Sequence, residues 1–215
     1  MIGLIYKDFL ILRRQIVYYL LFFALYAVLA AVGVFPPMVL SVMLTLVGMM
    51  LPMSSFGYDD LARWDKYAAA TPAGRQGIVA GKYLFALACI LGSAAVVLLL
   101  QAVLVLTGLL EGPLEEHLVS TLANVAVVFF MDALALPAFI KFGAEKSRSI
   151  FVLMFILFFG GAMLANYMSD VGRLPPAPPA WLMDALPAVL ALVAVGGFVF
   201  SYFIAQGIME RKDLS

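Results

Sequence analysis

Long apolar runs separated by short polar breaks set the pattern of this chain. Six segments, at about 15–34, 38–57, 83–109, 119–140, 150–168 and 185–207, hold nearly uninterrupted hydrophobic side chains. A helix needs about 20 such residues to cross the hydrocarbon layer, and it satisfies its own backbone hydrogen bonds where no water can. Each run meets that length. The pattern therefore predicts an all-α, polytopic membrane protein with six transmembrane helices in one domain over residues 1–215. The breaks agree with it: Phe35-Pro36-Pro37 divides the first two runs, and Glu111 to His117 divides the third from the fourth. Lys141-Phe142-Gly143-Ala144-Glu145-Lys146-Ser147-Arg148 lies between the fourth and fifth, and a stretch with Pro175, Pro176, Pro178 and Pro179 between the fifth and sixth.

Residues 1–14 carry a different pattern. Ile2, Ile5, Phe9, Leu12 and Ile16 recur at helical spacing, while Lys7, Asp8 and Arg14 fall on other faces. That describes a short amphipathic helix lying in the membrane interface, or else an extension of the first span. The apolar stretch from Ile16 to about Val34 is longer than the roughly 7–15 residues of a cleavable signal segment, so it reads as a retained anchor.

Composition supports the bilayer as solvent. Hydrophobic residues make up 65% of the chain and charged residues 12%, with mean hydropathy +1.08; soluble domains run near half and a quarter. The formal net charge is zero, so nothing in the bulk electrostatics points to nucleic acid. Where the cations sit decides orientation. With the N-terminus inside, Lys7, Arg13, Arg14, Arg63, Lys66, Arg75, Lys82, Lys141, Lys146, Arg148, Arg211 and Lys212 are all cytoplasmic and Arg173 alone is outside. The positive-inside rule then places both termini in the cytoplasm. The lone Cys89 lies within an apolar run and excludes an intrachain disulfide.

The longest inside segment, Gly57 to Arg75, reads as a short helix. Asp59 and Asp60 suit a helix N-terminus, Asp59 and Arg63 are spaced as an i,i+4 pair, and Leu61, Trp64 and Ala68 share a face with Tyr67 beside it. Thr71-Pro72 stops the helix. An aromatic and charged face of this kind suits docking of a soluble partner, and equally an interfacial helix whose Trp64 and Tyr67 are belt aromatics.

From Phe56 to Tyr83 the residues Phe56, Tyr58-Asp59-Asp60, Arg63-Trp64-Asp65, Tyr67, Thr71-Pro72, Arg75, Val79 and Lys82-Tyr83 resemble the segment between the second and third spans of type-2 ABC transporter permeases. Lys7-Asp8-Phe9, and Lys141-Phe142-Gly143 with Glu145, Lys146 and Arg148, are similar to patterns of the same group. The likeness is to compact bacterial peptide and drug exporters, including those that export phenol-soluble modulins. Thr71-Pro72-Ala73-Gly74 departs from the more usual leucine- or serine-bearing turn. The resemblance implies a permease that pairs with a second copy of itself and with a separate ABC ATP-binding subunit, in the bacterial plasma membrane. It implies that residues 1–14, with Lys7, Asp8 and Phe9, form an elbow helix. It also implies that the loop 57–75, with Asp59, Asp60, Arg63, Trp64, Lys66 and Tyr67, is the coupling helix. ATP and Mg would bind the partner, and no cofactor is expected in this chain. Cargo would be hydrophobic or amphipathic, such as a peptide, antimicrobial or drug.

Enzyme chemistry is not legible. The nearest approach to a phosphate-binding loop, Gln76 to Tyr83, has Gln at the first glycine position and Tyr where a Mg-binding hydroxyl belongs. Asp59 and Asp132 fall at different depths for an aspartyl pair, and the only histidine, His117, follows Glu115 and Glu116 in a solvated acidic turn. Asp132 is the strongest polar signal within the runs, since a charge at the bilayer centre costs roughly 2.5–3.5 kcal/mol on insertion scales. It lines a substrate path or a proton-sensitive site, or it bonds to Asn124, Asn166 or Tyr167. The competing functional class is a membrane sensor or assembly factor that docks a cytoplasmic partner.

Overall fold

A computed structural model describes residues 2–35, 38–72, 74–110, 113–170 and 180–212, and every regular element among them is helical. The elements are α1 (Ile2–Ala31), α2 (Met38–Leu61), α3 (Trp64–Ala69), α4 (Gly74–Leu106), α5 (Leu114–Asp170) and α6 (Ala180–Arg211). Five of these are long and apolar enough to cross a membrane.

α1 is continuous over 30 residues, so residues 2–14 do not form a separate elbow. Arg13, Arg14 and Gln15 are good helix formers, and neither Pro nor Gly interrupts them. At about 1.5 Å per residue the helix measures about 45 Å, longer than the hydrocarbon core, so its first turns extend past that layer. The chain leaves α1 through Gly33, whose φ of 77° is a conformation open to glycine, with its N–H donating to the Ala30 carbonyl at 3.0 Å. Pro36 and Pro37 lie outside the described residues, as do Glu111 and Gly112 and the proline-rich stretch 171–179.

The expected loop between the fourth and fifth runs is reduced to one residue. α5 runs 57 residues with non-helical geometry only at Gly143, φ 78° and ψ 171°. Lys141, Phe142, Ala144, Glu145 and Lys146 are tolerated in helix, so helical structure continues to either side of the glycine. Ser147 Oγ donates to the Ala138 carbonyl at 2.8 Å. In a straight helix nine residues separate such groups by about 13 Å, so the two arms of α5 fold sharply against each other at Gly143.

The core draws on every long helix: Leu12 and Phe23 from α1, Leu40, Leu44 and Met49 from α2, Phe85 and Ile90 from α4, Met131 and Leu136 from α5, and Met209 from α6. Gly48 lets α2 approach α5 closely, since a Cβ there would meet Val128 Cγ1 at 2.8 Å. Much of α1 and α6 remains exposed, with Tyr18, Leu21, Leu192 and Phe200 among the outward apolar side chains. That surface belongs in lipid or against another helix.

Candidate functional site

Three helices bring charge to the same end of the bundle. α1 carries Lys7 and Asp8 in its second turn, α2 ends in Tyr58-Asp59-Asp60, and α4 carries Lys82 after two turns. Packed together, they form a buried cluster of two cations and two anions. Lys7 Nζ lies 2.5 Å from Asp59 Oδ1 and 3.0 Å from Asp8 Oδ1. Lys82 Nζ lies 2.6 Å from Asp59 Oδ2 and 3.3 Å from Asp8 Oδ1, and donates to Ser55 Oγ at 2.5 Å. The Lys82 approach to Asp59 Oδ2 is close but off the hydrogen-bonding direction, so it acts as a charge contact. Asp8, Asp59 and Lys82 are 5% exposed or less, and Lys7 is 20% exposed. Two aromatic faces complete the enclosure: Trp64 lies 4.9 Å from Lys7 Nζ and Phe56 5.0 Å from Lys82 Nζ. Phe56 in turn stacks on Phe139 at 5.4 Å.

The segment after Asp59 is tied to the other two long helices. Asp60 accepts a hydrogen bond from the Ala144 N–H, at the start of the second arm of α5. Asp65 pairs with Lys212, just past the end of α6, at 3.0 Å. Arg75, at the start of α4, donates to the Glu210 carbonyl at 2.6 Å and reaches the Met209 carbonyl at 3.4 Å, satisfying acceptors that the end of α6 leaves open. Gln76 adds a contact to Glu210 at 3.2 Å. The α2–α4 connection, taken from Tyr58 in the last turn of α2 to Pro72, is thus bonded through polar groups to α1, α4, α5 and α6. Its outer surface presents Tyr58, Leu61, Arg63, Lys66 and Tyr67, all exposed.

The structure redraws the helix expected here. Asp59 and Asp60 are not at a helix N-terminus, because α2 continues through them to Leu61. The chain breaks at Arg63, which takes a left-handed conformation, φ 49° and ψ 37°, and α3 begins at Trp64. The break abolishes the i,i+4 pairing: Asp59 turns inward to Lys7 and Lys82, and Arg63 faces out. It also removes Leu61 from the face shared by Trp64 and Ala68, since Leu61 is 86% exposed and Ala68 is buried. Thr71 does end the helix, its hydroxyl donating to the Ala68 carbonyl at 2.6 Å. Ala73 is outside the described residues. Phe9 packs edge-on against Phe85 at 5.1 Å, seating α1 on α4. The stretch 76–83 lies within α4 rather than in a loop, and its lysine is committed to Asp8 and Asp59.

Lys82 and Ser55 were missed by sequence reasoning. The available signal was a lysine on the polar shoulder of an apolar run, at the end where Lys7 and Asp59 also fall. Deeper in the bundle Asp132 is buried, and its Oδ2 has no hydrogen-bond partner among the described residues. Two of the partners expected for it are engaged elsewhere or turned outward: Asn124 donates to the Ser120 carbonyl at 2.9 Å and accepts from Thr45 at 3.2 Å, and Tyr167 is exposed. The surroundings of the Asn166 side chain lie outside the described residues. Next to Asp132, the Ala133 carbonyl accepts from Ser201 Oγ at 2.5 Å, so the 2.6 Å contact of Ser201 with Tyr83 has the tyrosine hydroxyl as donor. Towards the opposite end, buried Gln101 donates to Ser41 and accepts from Thr121, each at 3.0 Å, joining α4 to α2 and α5. Between α1 and α2 an apolar groove of about 200 Å³ is lined by Tyr19, Phe22, Phe23, Tyr26, Met43, Leu46 and Val47.

A bundle of long apolar helices, closed at one end by a charged hub that presents a short connecting helix, defines a multi-pass membrane protein. The sequence pattern of the ABC-2 family transporter proteins matches residues 3–210, and the chain belongs to that family. No curated protein and no solved structure matches it. As a family member it is a membrane transport component, of the permease type that works with an ABC ATP-binding subunit.

Proposed function

We propose that the chain is the permease subunit of an ATP-driven exporter. It crosses the bacterial plasma membrane six times, the two arms of α5 counting as separate spans, with both termini in the cytoplasm. The α2–α4 connection is its coupling element. The carrying observation is the bonding of that connection to four long helices at once, while Tyr58, Leu61, Arg63, Lys66 and Tyr67 face outward. A segment fixed on its inner side and open on its outer side suits transfer of movement from a soluble subunit to the spans. The ATP-binding partner holds ATP and Mg and does the hydrolysis. Two copies of the permease enclose the path, and closure of the ATPase pair drives alternating access. Apolar and aromatic walls suit a hydrophobic or amphipathic cargo, such as a peptide, antimicrobial or drug.

Affinity purification of the tagged protein in mild detergent tests this reading. A stoichiometric ATP-hydrolysing subunit is expected with the wild-type chain, and at least tenfold less of it with Arg63→Glu/Tyr67→Ala, at unchanged thermal stability. A chain that elutes alone overturns the reading, and one that elutes with a partner lacking ATPase activity moves it to the sensor or assembly-factor class.

A further inference from the structure

The connection reaches three of its four helices through ion pairs, but it reaches α5 differently. Asp60 is the penultimate residue of α2, and its carboxylate accepts the N–H of Ala144, the first helical residue after the break in α5. A helix leaves its first N–H groups without internal partners, and a carboxylate placed there both accepts a hydrogen bond and meets the positive end of the helix dipole. That place is ordinarily filled by the residue just before the helix. Here the preceding residue is Gly143, which has no side chain to offer, and a Cβ on it would stand 3.0 Å from Asp60 Oδ2. Its φ of 78° with ψ 171° is also close to glycine's exclusive territory. The second arm of α5 therefore takes its N-cap from another helix, and glycine at the break makes room for it.

Resting on the permease reading of the α2–α4 connection, we propose that Asp60 is a positioning residue that links this connection to the second arm of α5. The cap holds only while the end of α2 keeps its place, and that place is set by Lys7, Lys82 and, through Lys7, Trp64. Displacing α3 withdraws the cap and frees the start of the arm. The first arm of α5 is held to the core by the Phe56–Phe139 stack, and the Ser147 hydroxyl of the second arm donates back across the break to the Ala138 carbonyl, which leaves the backbone N–H at the arm's start to Asp60. The break at Gly143 thus divides a part of α5 that stays with the core from a part that answers to the connection.

Amide hydrogen exchange on the purified chain in detergent tests the proposal without any partner. Asp60→Ala is expected to speed exchange of the amides from 144 to 150 about fivefold, the effect of losing a typical cap. Asp60→Asn, which keeps an acceptor, stays within twofold of wild type. Trp64→Ala speeds the same amides when Asp60 is present and adds nothing in the Asp60→Ala background. Unchanged exchange in Asp60→Ala overturns the proposal. So does a Trp64→Ala effect of equal size in both backgrounds, or a rise in Asp60→Ala that extends to the amides of residues 114–125 at the far end of α5. None of these readouts needs an ATPase, so failure of the co-purification experiment leaves this result standing, and failure here leaves the permease reading untouched.

Discussion

Replacing Lys82 by methionine should be among the most damaging single changes in the chain, although it removes no apolar contact. Lys82 Nζ lies 2.6 Å from Asp59 and 3.3 Å from Asp8. At an effective dielectric of about 20 those contacts correspond to roughly 6 and 5 kcal/mol of attraction. Most of this is offset by the cost of taking the charges out of water, so the hub as a whole adds little net stability. Removing one member is another matter. Lys82→Met leaves Asp8 and Asp59, both nearly buried, with Lys7 alone for compensation. Uncompensated burial of this kind costs about 3–5 kcal/mol, which for a chain of this size lowers Tm by about 10 °C. The double variant Lys82→Met/Asp59→Asn leaves the neutral pair Lys7–Asp8 at 3.0 Å and should return to within about 1 kcal/mol of wild type. The assay is thermal unfolding in a single detergent, with exposed Lys146→Met as a control expected to stay within about 0.5 kcal/mol. A Lys82→Met loss under about 1 kcal/mol, or a double variant as unstable as the sum of its parts, would refute the reasoning.

Other substitutions probe different layers of the bundle. Gly48→Ala places a Cβ 2.8 Å from the stiff, β-branched Val128, so α2 and α5 must separate; a loss of about 1–3 kcal/mol is expected by thermal unfolding. Gln101→Leu removes the 3.0 Å bonds to Ser41 and Thr121, leaving those hydroxyls the longer 3.5 Å contacts with each other and with Ser120, and should cost about 0.6–1.7 kcal/mol, the range for hydrogen bonds between spans, with no effect on partner binding at the charged end. Asp132→Asn removes a carboxylate whose Oδ2 has no partner among the described residues, so stability in the same assay should hold or rise; a fall beyond about 1 kcal/mol would show that the carboxylate is satisfied by a stabilising contact.

Period and length made the long helices legible, because a run of about 20 apolar residues has no other stable use in a membrane protein. The ends of the helices were not legible in the same way. Asp59-Asp60 reads locally as a helix start, and in isolation the sequence offers no reason for α2 to run on to Leu61. The reason is tertiary: Lys7 and Lys82 draw Asp59 inward from helices 52 and 23 residues away in sequence. The same limit hid the turn at Gly143. A charged octapeptide looks like a loop, yet its residues are sound helix formers on both sides of one glycine, and the cap that makes the abrupt restart possible comes from Asp60. Residues 2–14 show the same limit. Leu12 is buried as their amphipathic pattern expects, but Asp8, read as lying off the apolar face, is buried by its pairing with Lys7 and Lys82, and Phe9, read as on that face, stays 38% exposed. Nor does periodicity carry information about whether a helix bends where it enters the membrane.

The distribution of polar contacts follows from the solvent. In lipid, apolar side chains gain nothing by choosing a neighbouring helix over an acyl chain, so packing and polar bonds must fix how spans sit against one another. At one end this is done by neutral groups, the Gln101–Ser41–Thr121 set and the Thr45–Asn124 bond. These need no charge neutralisation, and they hold α2, α4 and α5 in register. At the other end it is done by charges, which are strong only at close range and in a particular arrangement. A hub of two lysines and two aspartates is neutral as a whole but strained by the loss of any member. Moving the α2–α4 connection by a few ångströms therefore disturbs α1 and α4 through Lys7 and Lys82, and α6 through Lys212, in the same step. An apolar contact of equal area would deform gradually and confine the disturbance to its nearest neighbour. On the proposed coupling role, placing the charged contacts around the connection, and the neutral ones at the far end, suits a bundle in which one end answers to a partner while the other keeps its packing.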